Sequence, residues 1–252
     1  DGVDGLALAI KNKDYLIHAF EANPQLCKYI KTLKLKLEKR KGIKIKNYKI
    51  HNYAVSNKKG VLNFNISKNH RVSSLNSLSN NLNRYWPGYK DSVFKVVKKI
   101  KVKTITLYDF MKKNQITHIN HLHTDTQGHD LNVLKGLKKK INNVYQGQME
   151  VALNKKKRAY KKGATIREVK KFLKKNRLKI NHVVKIKHLS KSGFLYNEAD
   201  ILYLNTKYIN KKKPNLKYKR RYFGRVINNN TYVKDDIFDY ILKLYNKLTY
   251  SS

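Results

Sequence analysis

Two hydrophobic periods alternate along the chain. Tyr15 to Glu21 is a short β-rich run; Asn23 and Pro24 then supply an N-cap and a first-turn proline, and Leu26, Ile30, Leu33 and Leu37 recur at helical spacing. Ile43 to Ser56 and Gly60 to Ile66 read as strands. Asn69 to Asp91 is polar and reads as a loop, interrupted by Tyr85-Trp86-Pro87-Gly88. Lys95 to Leu107 alternates, with Val96, Ile100, Val102 and Ile105 among lysines, and predicts a strand. Leu107 to Lys113 predicts a short helix and Ile119 to Asp125 a strand. Leu131, Leu134, Leu137 and Ile141 mark the helix that follows. Val144 to Leu153 is a strand, and Thr165-Ile-Arg-Glu168 a capping box opening a helix with Ile166, Val169, Phe172 and Leu173 inward. Lys179 to Leu189 and Ala199 to Leu204 close the series as strands. Strand–helix–strand alternation predicts an α/β fold with a mostly parallel sheet covered by helices.

After Leu204 the texture changes. Lys211-Lys-Lys-Pro214 and Lys217 to Arg225 form a basic stretch laced with Tyr, Asn228 to Asn230 follow, and Asp235-Asp236 cap a last helical pattern of Ile237, Ile241, Leu244 and Leu248. The expected division is therefore a domain over residues 1–206 and a basic extension over 207–252.

Composition changes this picture in three ways. The chain of 252 residues is 40% hydrophobic and 11% aromatic, enough for one sizeable core and too much for a disordered polycation. The single Cys27 excludes an internal disulfide scaffold and a Cys-rich zinc site. No apolar run approaches the roughly 20 residues of a membrane-spanning helix. No signal-peptide pattern follows Asp1, which gives the expectation of a cytoplasmic protein.

Charge is the loudest feature and the least specific one. Lys and Arg total 57 against 16 Asp and Glu, for a net charge of +41. Only 9 of the basic residues are Arg, however, although Arg is the better bidentate reader of phosphates and bases. Lys, Asn and Ile share A/T-rich codons, so genome composition accounts for much of the excess. A nucleic-acid partner, or an RNA-directed activity, rests on Lys211 to Arg225, where Tyr could stack on bases while Lys tracks the backbone. A solvated tail is the favoured reading of that stretch.

The residues with positional logic are few. Glu21, at the carboxyl end of a predicted strand entering a helix, stands where an acid in a nucleotide-binding α/β sheet accepts ribose hydroxyls. On these residues alone, a surface Glu favouring the helix N-terminus is the preferred reading. Asp1-Gly-Val-Asp-Gly5 precedes the helical run Leu6 to Ile10, and glycines at such a turn admit close approach of a ligand. In Ile119 to Asp130, strand geometry puts His121, His123 and Asp125 on one face. This His-x-His-x-Asp is similar to the start of the metallo-β-lactamase-type hydrolase motif. That motif wants another His directly after the Asp, where this chain has Thr126, so hydrogen-bonded strand histidines are favoured over a metal-dependent hydrolase.

Read from Leu122 to Leu137, the same segment resembles the signature of the FkbM-type methyltransferases, a strand ending in Lys-Ile-Asp-Val-Glu/Gln-Gly and then Val-Leu-Lys-Gly-Ala. Ala19-Phe-Glu-Ala-Asn-Pro24 is similar to that family's Ala-Phe-Glu-Pro-Asn-Pro, Tyr53-Ala-Val-Ser56 to its Ala-Val-Ser/Gly strand end, and Ser73-Ser-Leu75 to its Ser-Ser-Leu. Val102 to Asp109 resembles its Val-x-Thr-Leu-Asp, and Met149-Glu150 its next strand ending in Glu. Order and spacing agree from residue 1 to about 206. Two departures stand out: the family's first strand and most of its Asp-x-Gly-Ala-Asn-x-Gly loop are absent, leaving Asp1-Gly2, and the usual Lys before the motif Asp is His123. An upstream strand ending close to Asp-x-Gly-Ala-Asn is therefore expected before Asp1.

The resemblance implies a Rossmann-like class I methyltransferase sheet, its first strand missing from this chain, with a small basic C-terminal appendage. It implies S-adenosylmethionine as cofactor and methyl transfer to a hydroxyl of a sugar, glycan or other small-molecule acceptor. Gly2 would lie beside the methionine part of the cofactor, Glu21 would take the ribose hydroxyls, and Asn52 to Ala54 would edge the adenine. Asp125 would face the sulfonium and the acceptor. A base for the hydroxyl proton is sought among Asp125, His123, His129 and Glu150, with Asp125 first, and His123 second because a neutral imidazole is well matched near pH 7.

Overall fold

The computed structural model describes residues 3–86, 93–190 and 193–208, and the strands within 221–233. The chain divides into two compact units, residues 1–54 with 215–252 and residues 55–214.

In the first unit, helix α1 (Val3–Lys11) buries Leu6, Ala7 and Ala9, and strand β1 (Ile17–Phe20) follows. Helix α2 (Pro24–Lys41) starts where the Asn23 side chain accepts from the Gln25 N–H, and it stops at Gly42, whose φ of 60° lets its N–H reach the Glu38 carbonyl. Strand β2 (Tyr48–His51) pairs parallel with β1, from Ile17 against Tyr48 to Phe20 against His51. Leu26, Ile30, Leu33 and Leu37, the predicted helical stripe, pack against Leu6, Ile45 and Tyr48. Asn47 ties this unit together, its Nδ2 lying 2.9, 3.1 and 3.0 Å from the carbonyl oxygens of Ala9, Asn12 and Tyr15.

The strand expected over Ile43 to Ser56 is broken into β2 and a two-residue strand β3 (Ala54–Val55). Ile45 is buried, but its N–H donates to Glu38 Oε1 at 2.7 Å, so a side chain takes the place of a ladder partner there.

The second unit begins with a three-stranded sheet in the order β3-β5-β4, in which β4 (Gly60–Ser67) runs antiparallel to β5 (Val96–Ile105). Between these strands lies the short helix α3 (Leu82–Tyr85). Helix α4 (Leu107–Lys113) is capped by Thr106, whose hydroxyl accepts from the Asp109 N–H at 3.0 Å and donates to Asp109 Oδ2 at 2.8 Å. Strand β6 (Ile119–Thr124), helix α5 (Asp130–Lys135), strand β7 (Val144–Ala152), helix α6 (Ile166–Lys175) and strands β8 (Leu178–Ser190) and β9 (Gly193–Asn205) complete it. The sheet order is β6-β7-β9-β8, with β6 parallel to β7 and β9 antiparallel to both neighbours. The predicted capping box is present: Thr165 accepts from the Glu168 N–H and Glu168 from the Thr165 N–H, and α6 turns Val169 and Leu173 inward.

Two readings need correction. The helix predicted from Leu131 to Ile141 ends at Lys135; Lys138, at φ 49°, redirects the chain into a 3₁₀ stretch (Lys138–Asn143) that still buries Ile141. β1–β2 and β6–β7 pair parallel, while β4–β5, β7–β9 and β8–β9 are antiparallel, so the sheets are mixed rather than mostly parallel. Too few residues separate Ser190 from Gly193 for a crossover, which forces β8 and β9 antiparallel. Three short antiparallel strands, β10 (Arg221–Tyr222), β11 (Arg225–Asn228) and β12 (Thr231–Val233), follow later in the chain. Most of the basic stretch from Lys211 to Arg225 and the whole terminal helical pattern lie outside the described residues, as do the side chains there.

Candidate functional site

Glu21 follows β1 directly. Its N–H donates to the His51 carbonyl at 3.0 Å, carrying the parallel pairing one residue beyond the strand. Its carboxylate Oε1 accepts from the Asn23 N–H at 2.7 Å. Asn52, just past β2, donates from Nδ2 to the Glu21 carbonyl at 2.9 Å and to the Ala22 carbonyl at 3.3 Å. The two strand ends are thereby locked to each other, and Glu21 and Asn52 are brought together. Burial pushes the Glu21 pKa upward, and the Asn23 and Ala22 N–H groups pull against that shift. Ala54 is buried at the start of β3; Gly2 lies outside the described residues.

The second unit carries the motif loop. Asp125 leaves the end of β6 exposed to solvent, and its Oδ1 accepts from Gln127 Nε2 at 2.6 Å. Gln127 at φ 54° and Gly128 at φ 82° are consecutive left-handed residues, and they turn the chain back so that α5 can begin at Asp130. This turn is pinned from three sides. Ser74 Oγ donates to the Gln127 carbonyl at 2.7 Å, and Asp130 Oδ1 accepts from the Thr126 N–H at 3.1 Å. The Tyr160 hydroxyl lies 2.7 Å from the Val72 carbonyl and 3.0 Å from Gln127 Oε1.

His129 is buried, with Nε2 at 2.9 Å from Ser56 Oγ and Nδ1 at 3.2 Å from Asn132 Nδ2. Nδ1 also lies 3.4 Å from Asn76 Oδ1, so both ring nitrogens are engaged by side chains. Burial lowers the His129 pKa to about 4, so the ring is neutral at pH 7. His129 therefore anchors the loop and has no exposed nitrogen with which to act as a base. His123 is exposed on β6 opposite Gln148, while His121 is held to a pKa of about 4 by burial and then by the charge of His123. Among the described residues, no group of three or more His, Cys, Asp and Glu is placed to hold a metal ion.

An acidic face adjoins the loop. Glu150 on β7 stands directly opposite Asp200 on β9, and Ala152 opposite Glu198, so Glu150, Asp200 and Glu198 share one face of the sheet. Burial raises the Glu150 pKa well above the ordinary carboxylate value, and the charges of Glu198, Asp125, Asp130 and Asp200 raise it further. Asp130, only 2% exposed, is pushed up to about 7 by burial and then by Asp125. Gly128, Asp130, Glu150, Arg158, Tyr160 and Glu198 line a concavity over this face. Such an arrangement can hold and exchange protons near neutral pH, and it presents a negative surface to a ligand.

Sequence reasoning singled out Asp125 and Glu150 here and missed Asp130, Tyr160, Glu198 and Asp200. The Glu198-Ala-Asp200 spacing places two acids on one strand face, which is the single local signal for them. Their meeting with Glu150 depends on a pairing between strands some 50 residues apart in sequence.

The family model described as the methyltransferase FkbM domain matches residues 4–180. That span takes in Glu21, Asn52, the Asp125 to Asp130 loop and Glu150, and stops short of Glu198 and Asp200. No curated protein and no solved structure matches the chain. No helix among the described residues is long and apolar enough to cross a membrane.

Proposed function

The chain belongs to the FkbM methyltransferase family, and on that premise we propose that it moves a methyl group from S-adenosylmethionine to a hydroxyl oxygen of a sugar, glycan or other small-molecule acceptor. We read residues 1–206 as the part that carries this chemistry, on a Rossmann-like sheet, and residues 207–252 as an appendage to it. The parallel pairs β1–β2 and β6–β7, each with a helix after its first strand, support that reading.

The residues present suit the cofactor. Glu21 offers a carboxylate at the carboxyl end of a parallel strand, oriented by the Asn23 N–H, which is the chemistry a ribose diol requires. By the family resemblance, Asn52 and Ala54 would edge the adenine and Gly2 would serve the methionine portion. When bound, S-adenosylmethionine supplies an electrophilic methyl on a positively charged sulfur.

Asp125 is the base. Its carboxylate is exposed at the end of β6, and Gln127 Nε2 fixes its orientation, so it can take the hydroxyl proton as the acceptor oxygen advances. His123 and Glu150 complete the groups able to hold that proton. Positioning of the acceptor supplies much of the remaining rate. The observation that carries this reading is the family match over 4–180 together with the placement of Asp125 at a strand end, on a loop locked by Ser74, Asp130 and Tyr160.

Asp125→Asn tests it. Labelled methyl transfer to a panel of monosaccharides and glycans should fall by about 100-fold or more, while cofactor affinity measured by titration changes only a few-fold. Turnover equal to that of the unaltered protein would remove Asp125 from the chemistry.

A further inference from the structure

Tyr160 lies in the connection between β7 and α6, bridged to Leu78 as an isolated antiparallel pair. Its ring is buried with Leu82, Trp86, Phe94 and Ala159, and it meets the Phe94 ring edge-on at 6.1 Å. The backbone is fixed on both sides. The Ser79 N–H donates to the Ala159 carbonyl at 2.7 Å, and the Lys161 N–H to the Ser77 carbonyl at 2.9 Å. A phenylalanine would fill this place equally well. The hydroxyl is what packing leaves unexplained, and it reaches the motif loop.

Gln127 receives it. The backbone of Gln127 is held by Ser74 and by its left-handed turn, which leaves the carboxamide as the part still to be oriented. A carboxamide has two unlike ends. Its Oε1 lies 3.0 Å from the Tyr160 hydroxyl, and its Nε2 donates to Asp125 Oδ1 at 2.6 Å. Burial raises the Tyr160 pKa well above its ordinary value, and the charges of Glu198, Glu150, Asp125 and Asp130 raise it further, so the phenol keeps its proton. With the amide reversed, Oε1 would lose the phenol and face the ionised Asp125, acceptor against acceptor. Asp125 Oδ2 takes no hydrogen bond from the described residues.

We propose that Tyr160 is a positioning residue for methyl transfer: through Gln127 it keeps Oδ1 of Asp125 occupied and leaves Oδ2 to take the acceptor's proton. The proposal rests on the transferase reading above, in which Asp125 is the base. The acceptor's proton passes to Oδ2, its oxygen bonds to the methyl carbon, and the electron pair of the broken carbon–sulfur bond stays on sulfur. A single carboxylate oxygen then meets the acceptor, in an orientation fixed before the acceptor arrives. The Val72 carbonyl is a second acceptor for the phenol at 2.7 Å, but Ser67 Oγ also donates to it at 3.5 Å. Loss of the hydroxyl therefore leaves Gln127 Oε1 without a donor among the described residues.

Tyr160→Phe and Asp125→Asn, singly and together, test this. Tyr160→Phe keeps the ring in its cluster, so the chain should fold. Its turnover on acceptors found in the monosaccharide and glycan panel should fall by about tenfold, with KM and S-adenosylmethionine affinity within about twofold. In the Asp125→Asn background the same change should have less than about a twofold effect, because the residue it acts through is gone. A loss of equal size in both backgrounds would mark a structural role only and overturn the proposal.

A second readout needs no methyl transfer. In NMR spectra of the full chain the Gln127 side-chain amide should shift as Asp125 ionises, and Tyr160→Phe should cut that shift by about half or more. The other charged groups nearby, Asp130, Glu150, Glu198, His123 and Arg158, are the same in both chains, so the difference reports the hydroxyl. An amide shift equal in Tyr160→Phe and the unaltered chain would overturn the proposal whatever the transfer assay shows. If Asp125→Asn loses turnover and Tyr160→Phe does not, the proposal falls and the base stands. If both keep full turnover, the reading of Asp125 as base falls, and this proposal with it.

Discussion

Glu150 on β7 and Asp200 on β9 stand directly opposite one another on one face of an antiparallel pair. Burial and the surrounding acids raise the Glu150 pKa well above the ordinary carboxylate value, so the folded chain holds this proton more tightly than the unfolded chain does. Stability is therefore lost as pH rises above the ordinary carboxylate range, because the unfolded state ionises first. Glu150→Gln removes that loss. The variant should melt a few degrees above the unaltered protein at pH 8 and level with it at pH 4, with reduced turnover, since a strained site is being relaxed. Melting below the unaltered protein at pH 8 would show instead that the ionised carboxylate is a net stabiliser.

Glu21 should behave in the opposite way with respect to function. Its carboxylate is already engaged by the Asn23 N–H, so loss of the side chain frees one backbone donor and removes the proposed ribose acceptor. Glu21→Ala should weaken S-adenosylmethionine binding by about 10- to 100-fold, the range for a hydrogen bond to a charged group, with a smaller effect on turnover at saturating cofactor. A titration indistinguishable from that of the unaltered chain would refute the ribose role.

The contrast between these two acids shows what the sequence could carry. The place of Glu21 at a strand end was legible because its setting is local: a β-rich run, an N-cap and a proline within five residues. The same holds for α2, whose apolar stripe is buried as predicted, and for the Thr165 capping box. Helix α5 was misjudged because the stripe of Leu134, Leu137 and Ile141 does continue inward, while the backbone beneath it changes at Lys138. Apolar periodicity reports which residues are buried and not which dihedral angles bury them. The acidic face was illegible because its members come from two strands far apart in sequence, and they meet only once β7 and β9 are in register.

His129 gives a pH signature of its own. Burial holds its pKa near 4, below the ordinary value of 6.5, so the unfolded chain takes up a proton that the folded chain refuses. The stability tied to this residue is fully present above pH 6.5 and is lost as pH falls toward 4. His129→Gln keeps an amide able to reach Ser56 and removes the titration. The variant should be less stable than the unaltered protein at pH 7, and the gap should narrow by on the order of 1–3 kcal/mol at pH 4.5 in urea denaturation. A constant gap at both pH values would mean that His129 is not held neutral in the fold.

Gly128 separates backbone strain from loop placement. Its φ is 82°, and a methyl group added there would come within 3.0 Å of Cβ and Cδ2 of Tyr160. Tyr160 is 3% exposed and its hydroxyl is engaged beside Val72 and Gln127, so it cannot move aside without releasing the loop. Gly42 is a matched control at φ 60°, where a methyl group would meet nothing within 4 Å. Gly42→Ala should cost about 1 kcal/mol of stability, from backbone strain at a helix end, and leave turnover unchanged. Gly128→Ala should cost about 1–3 kcal/mol and also reduce turnover by about tenfold or more, because the clash displaces the segment from Asp125 to Asp130. If both variants lose stability but Gly128→Ala retains full turnover, the geometry of this loop is not coupled to the chemistry, and Asp125 loses its claim to be the base.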